Sequence, residues 1–167
     1  MSTAVERPVG DVSGIFEGAH RLRWETRIPR PLEEVFAVFA EPENLERITP
    51  PWLHFRIVSP RPIVMRPGAR IDYHLRLHGL PVPWTSEITV WNPPTRFVDE
   101  QVRGPYRLWV HEHAFHADGD GTVVSDFVRY AVPGGALVNR FFVRPDLDRI
   151  FRYRVEALRQ ILSEPLR

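Results

Sequence analysis

The chain has 167 residues, 43% of them hydrophobic and 11% aromatic, with a formal net charge of +1 at pH 7. That length and composition fit one domain with a sizeable core, and the near-zero charge excludes a global pull toward nucleic acid or a membrane surface. No cysteine is present, which removes disulfides, thiolate metal sites and a cysteine nucleophile. Residues 1–19 lack the apolar stretch of a signal peptide, and no apolar run is long enough to span a bilayer. The expectation is a cytoplasmic protein with neither a nucleic-acid partner nor membrane insertion.

The first 19 residues hold Gly10, Gly14 and Gly18 with little periodicity and read as a flexible arm. His20–Ile28 alternates Leu22, Trp24 and Thr26 against charged neighbours, as a strand does. Pro31 then stands where helices start, and Leu32, Val35, Phe36, Val38 and Phe39 give a short apolar stripe. Pro42 breaks that helix, and Pro42–Ile48 reads as a second short one ended by Pro50-Pro51. Six strands follow: Leu53–Val58, Arg70–Leu77, Val82–Trp91, Thr95–Val102, Tyr106–His116 and Thr122–Val132. Short turns rich in Gly, Pro, Asn and Asp separate them, which favours antiparallel neighbours. After Gly134-Gly135 the period becomes helical, with Leu137, Phe141, Leu147, Ile150, Phe151, Leu158, Ile161 and Leu162 as its apolar positions. Pro145 must interrupt or kink this helix. The helix is the only long element available to cover an apolar sheet face.

The two strands at 106–116 and 122–132 carry the functional signal. Pairing Ala117 with Thr122 sets His113 opposite Asp126, His111 opposite Val128 and Trp109 opposite Tyr130. A slip of one residue would face Glu112 with Asp126, and facing like charges destabilise a pair. In the favoured register Trp109, His111, His113 and Phe115 share a face with Asp126, Val128 and Tyr130. Such a wall suits a ligand cavity better than a plain core. The outer face holds Glu112 and Arg129 as a diagonal solvent-side pair.

Element order and motifs together resemble the START/Bet v 1-like (SRPBCC) superfamily, most specifically its bacterial ligand-binding, cyclase/dehydrase-like branch. The residues that carry the resemblance are Phe97-Val98-Asp99-Glu100-Gln101, Gly104-Pro105-Tyr106, Trp109-x-His111-x-His113-x-Phe115, Asp126-x-Val128-x-Tyr130-x-x-Pro133 and Pro50-Pro51. Pro145 departs from that pattern. The resemblance covers residues 20–163 and leaves 164–167 as a tail. It implies an α+β helix-grip fold: a curved antiparallel sheet of about seven strands, wrapped around a long C-terminal helix, with two short helices after the first strand. It also implies a hydrophobic-ligand pocket, while fold alone does not fix chemistry.

The expected ligand-binding residues are Trp84, Tyr106, Trp109, His111, His113, Phe115, Asp126, Val128, Tyr130 and Phe151. His113 beside Asp126 could be a general base held by a carboxylate, or a buried polar pair that satisfies itself; the second is preferred. His111 and His113 could ligate a metal with Asp126 or Glu87, but no HExxH or cysteine set accompanies them. No metal and no cofactor are therefore expected. Glu87 is read as solvent-facing. The arginines of the last helix form a solvated face, with Arg154 ambiguous. The leading expectation is a carrier, sequestering or sensing protein for a small hydrophobic or aromatic molecule. The alternative is a polyketide cyclase/dehydratase-like enzyme using His113 or His111 with Asp126 as acid and base. A third class is a protein-partner module built on the arm and short helices. A weak homodimer stays open.

Overall fold

The computed structural model describes residues 18–163. Most of the expected arm and the tail at 164–167 lie outside the described residues.

The chain folds as strand β1 (His20–Ile28), helices α1 (Leu32–Ala40) and α2 (Asn44–Ile48), then strands β2 (Arg56–Ile57), β3 (Arg70–Leu77), β4 (Leu80–Asn92), β5 (Arg96–Arg103), β6 (Leu108–Asp118) and β7 (Gly121–Ala131). A helical segment closes it, as α3 (Gly135–Val138), a π-turn over Asn139–Val143 and α4 (Arg144–Ser163). The strands form one antiparallel sheet of seven in the order β1-β7-β6-β5-β4-β3-β2. This is the α+β helix-grip arrangement. Register shifts between Thr85 and Ser86 and between Ile88 and Val90 interrupt the β4–β5 ladder. Such bulges bend and twist a strand, which lets the sheet curve.

β6 and β7 pair with Ala117 opposite Thr122, His113 opposite Asp126 and Trp109 opposite Tyr130, as the charge argument requires. On the outer face Glu112 does not take Arg129. It pairs instead with Arg96 of β5 at 2.8 Å, because β5 supplies a cation on the neighbouring strand. β2 is shorter than the expected Leu53–Val58. Pro51–Leu53 forms a 3₁₀ turn and His54 adopts a left-handed φ of 46°, so the chain can extend only afterwards.

Pro145 is accommodated rather than disruptive. The ladder is interrupted by the π-turn over Asn139–Val143, and Pro145, which has no N–H to give, stands two residues after it, at the second position of α4. Leu137 and Phe141 were expected in the apolar stripe, but they are 70% and 63% exposed. They stand four residues apart, yet Phe141 precedes Leu147 by six residues, about 240° of turn at 3.6 residues per turn. That places them on another face of the helix from Leu147 and Phe151, which are buried.

Two apolar clusters fill the grip. One joins α1, β5, β6, β7 and the end of α4 through Val35, Phe36, Phe39, Phe97, Phe115, Val124, Leu158 and Ile161. The other joins Leu22, Val128, Tyr130, Leu147 and Phe151, with Trp24, Tyr106 and Trp109 against it. Phe115 is fully buried, edge-on to Phe36 and Phe39. Phe115→Ala is expected to cost about 3–5 kcal/mol in chemical denaturation, the usual loss for a core aromatic; a change under about 1 kcal/mol would show that the cluster does not organise the fold.

Candidate functional site

Between the two clusters the sheet and α4 enclose a cavity of about 180 Å³. Its walls are mostly apolar, with Phe39, Leu45, Leu53, Ile71, Leu75, Trp84, Ile88, Leu147, Ile150 and Phe151 among them. A void of about 150 Å³ lined by such side chains is known to hold benzene-sized molecules.

Of the residues singled out in the sequence, Trp84, Tyr106, Trp109, His111, His113 and Phe151 line this cavity. Phe115, Val128 and Tyr130 do not; they belong to the two clusters beside it. Asp126 also stands outside the lining, buried behind the two histidines. Glu87 lies on the outer face, 2.7 Å from Arg70.

A cluster of four polar side chains stands at the wall: His111 and His113 of β6 and Asp99 of β5 line the cavity, and Asp126 of β7 lies behind them. His111 Nε2 lies 2.8 Å from Asp126 Oδ1, and His113 Nε2 lies 3.1 Å from Asp99 Oδ2. His113 Nδ1 is also 2.9 Å from Asp126 Oδ1, though without the direction of a hydrogen bond. His111 Nδ1 stands 3.7 Å from Asp99 Oδ2. The two imidazole rings are 3.8 Å apart, and Phe97 stacks on His113 at 4.1 Å. Each histidine thus stands between two carboxylates.

Asp99 and Arg154 were not among the expected site residues. Asp99 enters because β5 alternates: Phe97 and Asp99 point the same way, opposite His113 and His111 of β6. That alternation was readable, but the apolar run Phe97-Val98 masks it. Arg154 enters because residues 147, 151, 154 and 158 follow a four–three–four spacing, which places all four on one helix face. Its guanidinium lies 5.5 Å from the Phe39 ring centroid, its Nε is buried without a hydrogen-bond partner, and it lines the cavity.

Further side chains fix the aromatic rim. Ser86 Oγ takes the Trp84 indole N–H at 3.1 Å and lies 3.1 Å from the Tyr73 hydroxyl. Gln101 grips the Tyr106 backbone from both sides: its Nε2 donates to the Tyr106 carbonyl at 2.8 Å, and its Oε1 accepts the Tyr106 N–H at 3.2 Å. A Cβ on Gly104 would come within 2.3 Å of Gln101 Oε1, so glycine leaves room for that grip. The Gln101–Tyr106 motif therefore fixes Tyr106 in the cavity wall.

Electrostatics follow from burial. Desolvation pushes the His111 pKa down from 6.5 to about 4, with His113 adding to the shift and the two carboxylates opposing it. Burial would raise Asp126, but the hydrogen bond from His111 and the close approach of His113 outweigh it and hold the carboxyl well below the ordinary range. Asp99 is likewise lowered: burial opposes, and His113, His111 and Arg154 prevail. At neutral pH the site holds two carboxylates and a neutral His111.

The linkage sign follows. His111 binds its proton more tightly in the unfolded chain, so its contribution is complete above pH 6.5 and declines as pH falls toward about 4. Asp126 is also bound more weakly by protons when folded, so its contribution is lost only at still lower pH. Denaturant midpoints should therefore fall between pH 6.5 and 4 in the wild type, and His111→Gln should flatten that decline. An unchanged slope in the variant would mean that His111 is already charged in the folded state.

Comparison with known proteins agrees with this fold. The family model described as polyketide cyclase / dehydrase and lipid transport matches residues 19–163. No curated protein matches the sequence. Among solved structures the chain resembles the Zhui aromatase/cyclase from Streptomyces sp. R1128, with 14% identity, 87% of this chain and 94% of that chain covered, and a TM-score of 0.68. It also resembles ginseng major latex-like protein 151 from Panax ginseng, with 12% identity, 89% and 100% covered, and a TM-score of 0.66. Protein CV1439 from Chromobacterium violaceum is similar at 12% identity, 87% and 98% covered, with a TM-score of 0.70. These likenesses establish the fold, and the family match covers nearly every described residue: the chain belongs to the polyketide cyclase / dehydrase and lipid transport family, within the START/Bet v 1-like (SRPBCC) superfamily.

Proposed function

We propose that this chain binds a small, largely apolar molecule with an aromatic or planar portion in the cavity between sheet and α4, as a carrier, sequestering or sensing protein. The observation that carries the reading is the cavity itself, apolar on most sides and polar at one cluster. Apolar walls supply affinity through area removed from water, and a few fixed polar groups supply orientation. Here the orienting groups are His111, His113, Asp99 and Arg154, with Tyr106 in the wall. Trp84, Trp109 and Phe151 offer faces and edges for a ring to stack against. Asp126 acts on the ligand only through the two histidines. A cytoplasmic location is part of the same proposal; among the described residues no helix is long and apolar enough to cross a membrane.

A second reading is favoured by one observation, the histidine–carboxylate cluster in the cavity wall beside a buried guanidinium nitrogen. In a cyclase-like or dehydratase-like enzyme His113 would move a proton, Asp99 and Asp126 would hold its ring, and Arg154 would stabilise developing negative charge on a substrate oxygen. General acid–base assistance of this kind contributes roughly 10²–10⁴-fold in rate.

Native mass spectrometry of the purified chain, followed by denaturing extraction, tests the first reading. A co-purified or added apolar molecule is expected at one per chain. Ile150→Trp, which fills the cavity from α4, is expected to abolish that retention while the fold survives. Retention undiminished in Ile150→Trp would place the ligand elsewhere. His113→Gln separates the two readings: a carrier changes affinity only, whereas an enzyme loses turnover of a polyketide-like substrate with modest loss of binding.

A further inference from the structure

Asp99, His111 and His113 each offer one ligand atom, and these atoms lie within 4.8 Å of one another. All three residues line the cavity. Four nitrogen–oxygen approaches surround them: His111 Nε2 to Asp126 Oδ1 at 2.8 Å, His113 Nδ1 to Asp126 Oδ1 at 2.9 Å, His113 Nε2 to Asp99 Oδ2 at 3.1 Å and His111 Nδ1 to Asp99 Oδ2 at 3.7 Å. An ionised carboxylate only accepts, and a neutral imidazole carries a single N–H. Two neutral rings bring two protons, and these satisfy the two approaches that have hydrogen-bond geometry, His111 Nε2 to Asp126 and His113 Nε2 to Asp99. His111 spends its N–H on Asp126, which leaves its Nδ1 lone pair on the Asp99 side. His113 as it stands donates its Nε2–H to Asp99; an ion taking that place would use the Nε2 lone pair, with the proton moving to Nδ1, 2.9 Å from Asp126 Oδ1. Two nitrogen lone pairs and a carboxylate oxygen then converge, and that set calls for a cation.

We propose that Asp99, His111 and His113 bind a divalent transition-metal ion of the zinc class, with Asp126 as the outer carboxylate that holds His111 in the ligating tautomer. Bonds of about 2.0–2.2 Å at tetrahedral angles set donor atoms about 3.3 Å apart, between the two nitrogen–Asp99 distances found here. Two imidazoles and a single carboxylate select zinc, iron, cobalt or nickel over magnesium and calcium, which prefer all-oxygen shells. A carboxylate behind a ligating histidine is the usual outer partner of such sites, fixing ring orientation and raising ligand basicity. The remaining coordination positions face the cavity, where an oxygen of a bound molecule can reach them. Arg154 faces the carboxylates from α4. Asp99 and Asp126 together balance the two charges of the ion, so the guanidinium charge is what remains for an anionic group. The site stands on its own geometry and does not require the ligand-binding reading above.

The full chain, stripped with EDTA, is titrated with Zn²⁺ and with Co²⁺. Expected are one ion per chain, a rise in Tm that saturates with the ion, and Co²⁺ absorption bands that disappear in Asp99→Asn and in His111→Gln. Asp126→Asn keeps the three ligand atoms and is expected to weaken affinity roughly 10–100-fold. His78→Ala, which removes the exposed His78–Asp146 pair as a competing site, is expected to leave uptake unchanged. A wild-type chain that takes up neither ion overturns the proposal, as does uptake lost in His78→Ala but kept in Asp99→Asn. Should the ligand variants fail to fold, ¹⁵N shifts of the His111 and His113 ring nitrogens decide in the wild type: Zn²⁺ must move both. Apolar-ligand retention by the stripped chain is read separately, so either proposal can fail without the other.

Discussion

Two carboxylates on the inner side of the sheet, the half-buried Asp99 and the buried Asp126, govern what is built around them. Taking an ion out of water costs several kcal/mol even after relaxation, and only close, well-directed partners offset that cost. The partners here are His111 and His113, one residue apart on the inner face of β6 and flanked by β5 and β7, which carry the two aspartates. Three adjacent strands must hold one register for this to work. A slip at either ladder would carry a carboxylate to the wrong face and leave an unpaired charge inside. The cluster is therefore a specificity constraint on the sheet as well as a candidate site.

The same cluster explains why the grip holds a cavity rather than a continuous core. Apolar side chains gather at its two ends, around Phe115 and Phe39 on one side and around Tyr130 and Leu147 on the other. Between them the histidine–carboxylate group and Arg154 occupy positions that a plain core would give to leucine or valine. Polar groups resist being packed against hydrocarbon, since each needs a partner or solvent. Curvature from the β4–β5 bulges and the span of α4 hold the two sides apart.

The hairpin was legible because two independent signals agreed on it, strand alternation and the cost of facing Glu112 with Asp126. Asp99 stayed hidden for a local reason: Phe97 and Val98 are both buried, so alternation on β5 is blurred just before the aspartate. Arg154 was readable from its place in the four–three–four stripe, but arginine is so commonly solvated that its type argued against its position. Leu137 and Phe141 misled in the opposite sense. Their spacing is helical, yet their phase relative to Leu147 puts them on an exposed face, and only the continuous turn through the π-segment into α4 makes that plain. Phe115 and Tyr130 share the inward face with the histidines, but at the ends of the hairpin inward means core, and in its middle it means cavity.

One physical quantity links the candidate roles of the site. Two carboxylates, Asp99 and Asp126, stand against His111 and His113, so positive charge is drawn to this cluster. A proton passed through His113 to a substrate would place acid–base chemistry beside the cavity. A metal ion among Asp99, His111 and His113 would put a Lewis acid in the same place. A cationic group on a bound molecule would compete with Arg154 and is the least suited of the three. Which species takes that place decides between a pocket that only holds its ligand and one that polarises it, and the apolar walls, identical in either case, set only how large that ligand can be.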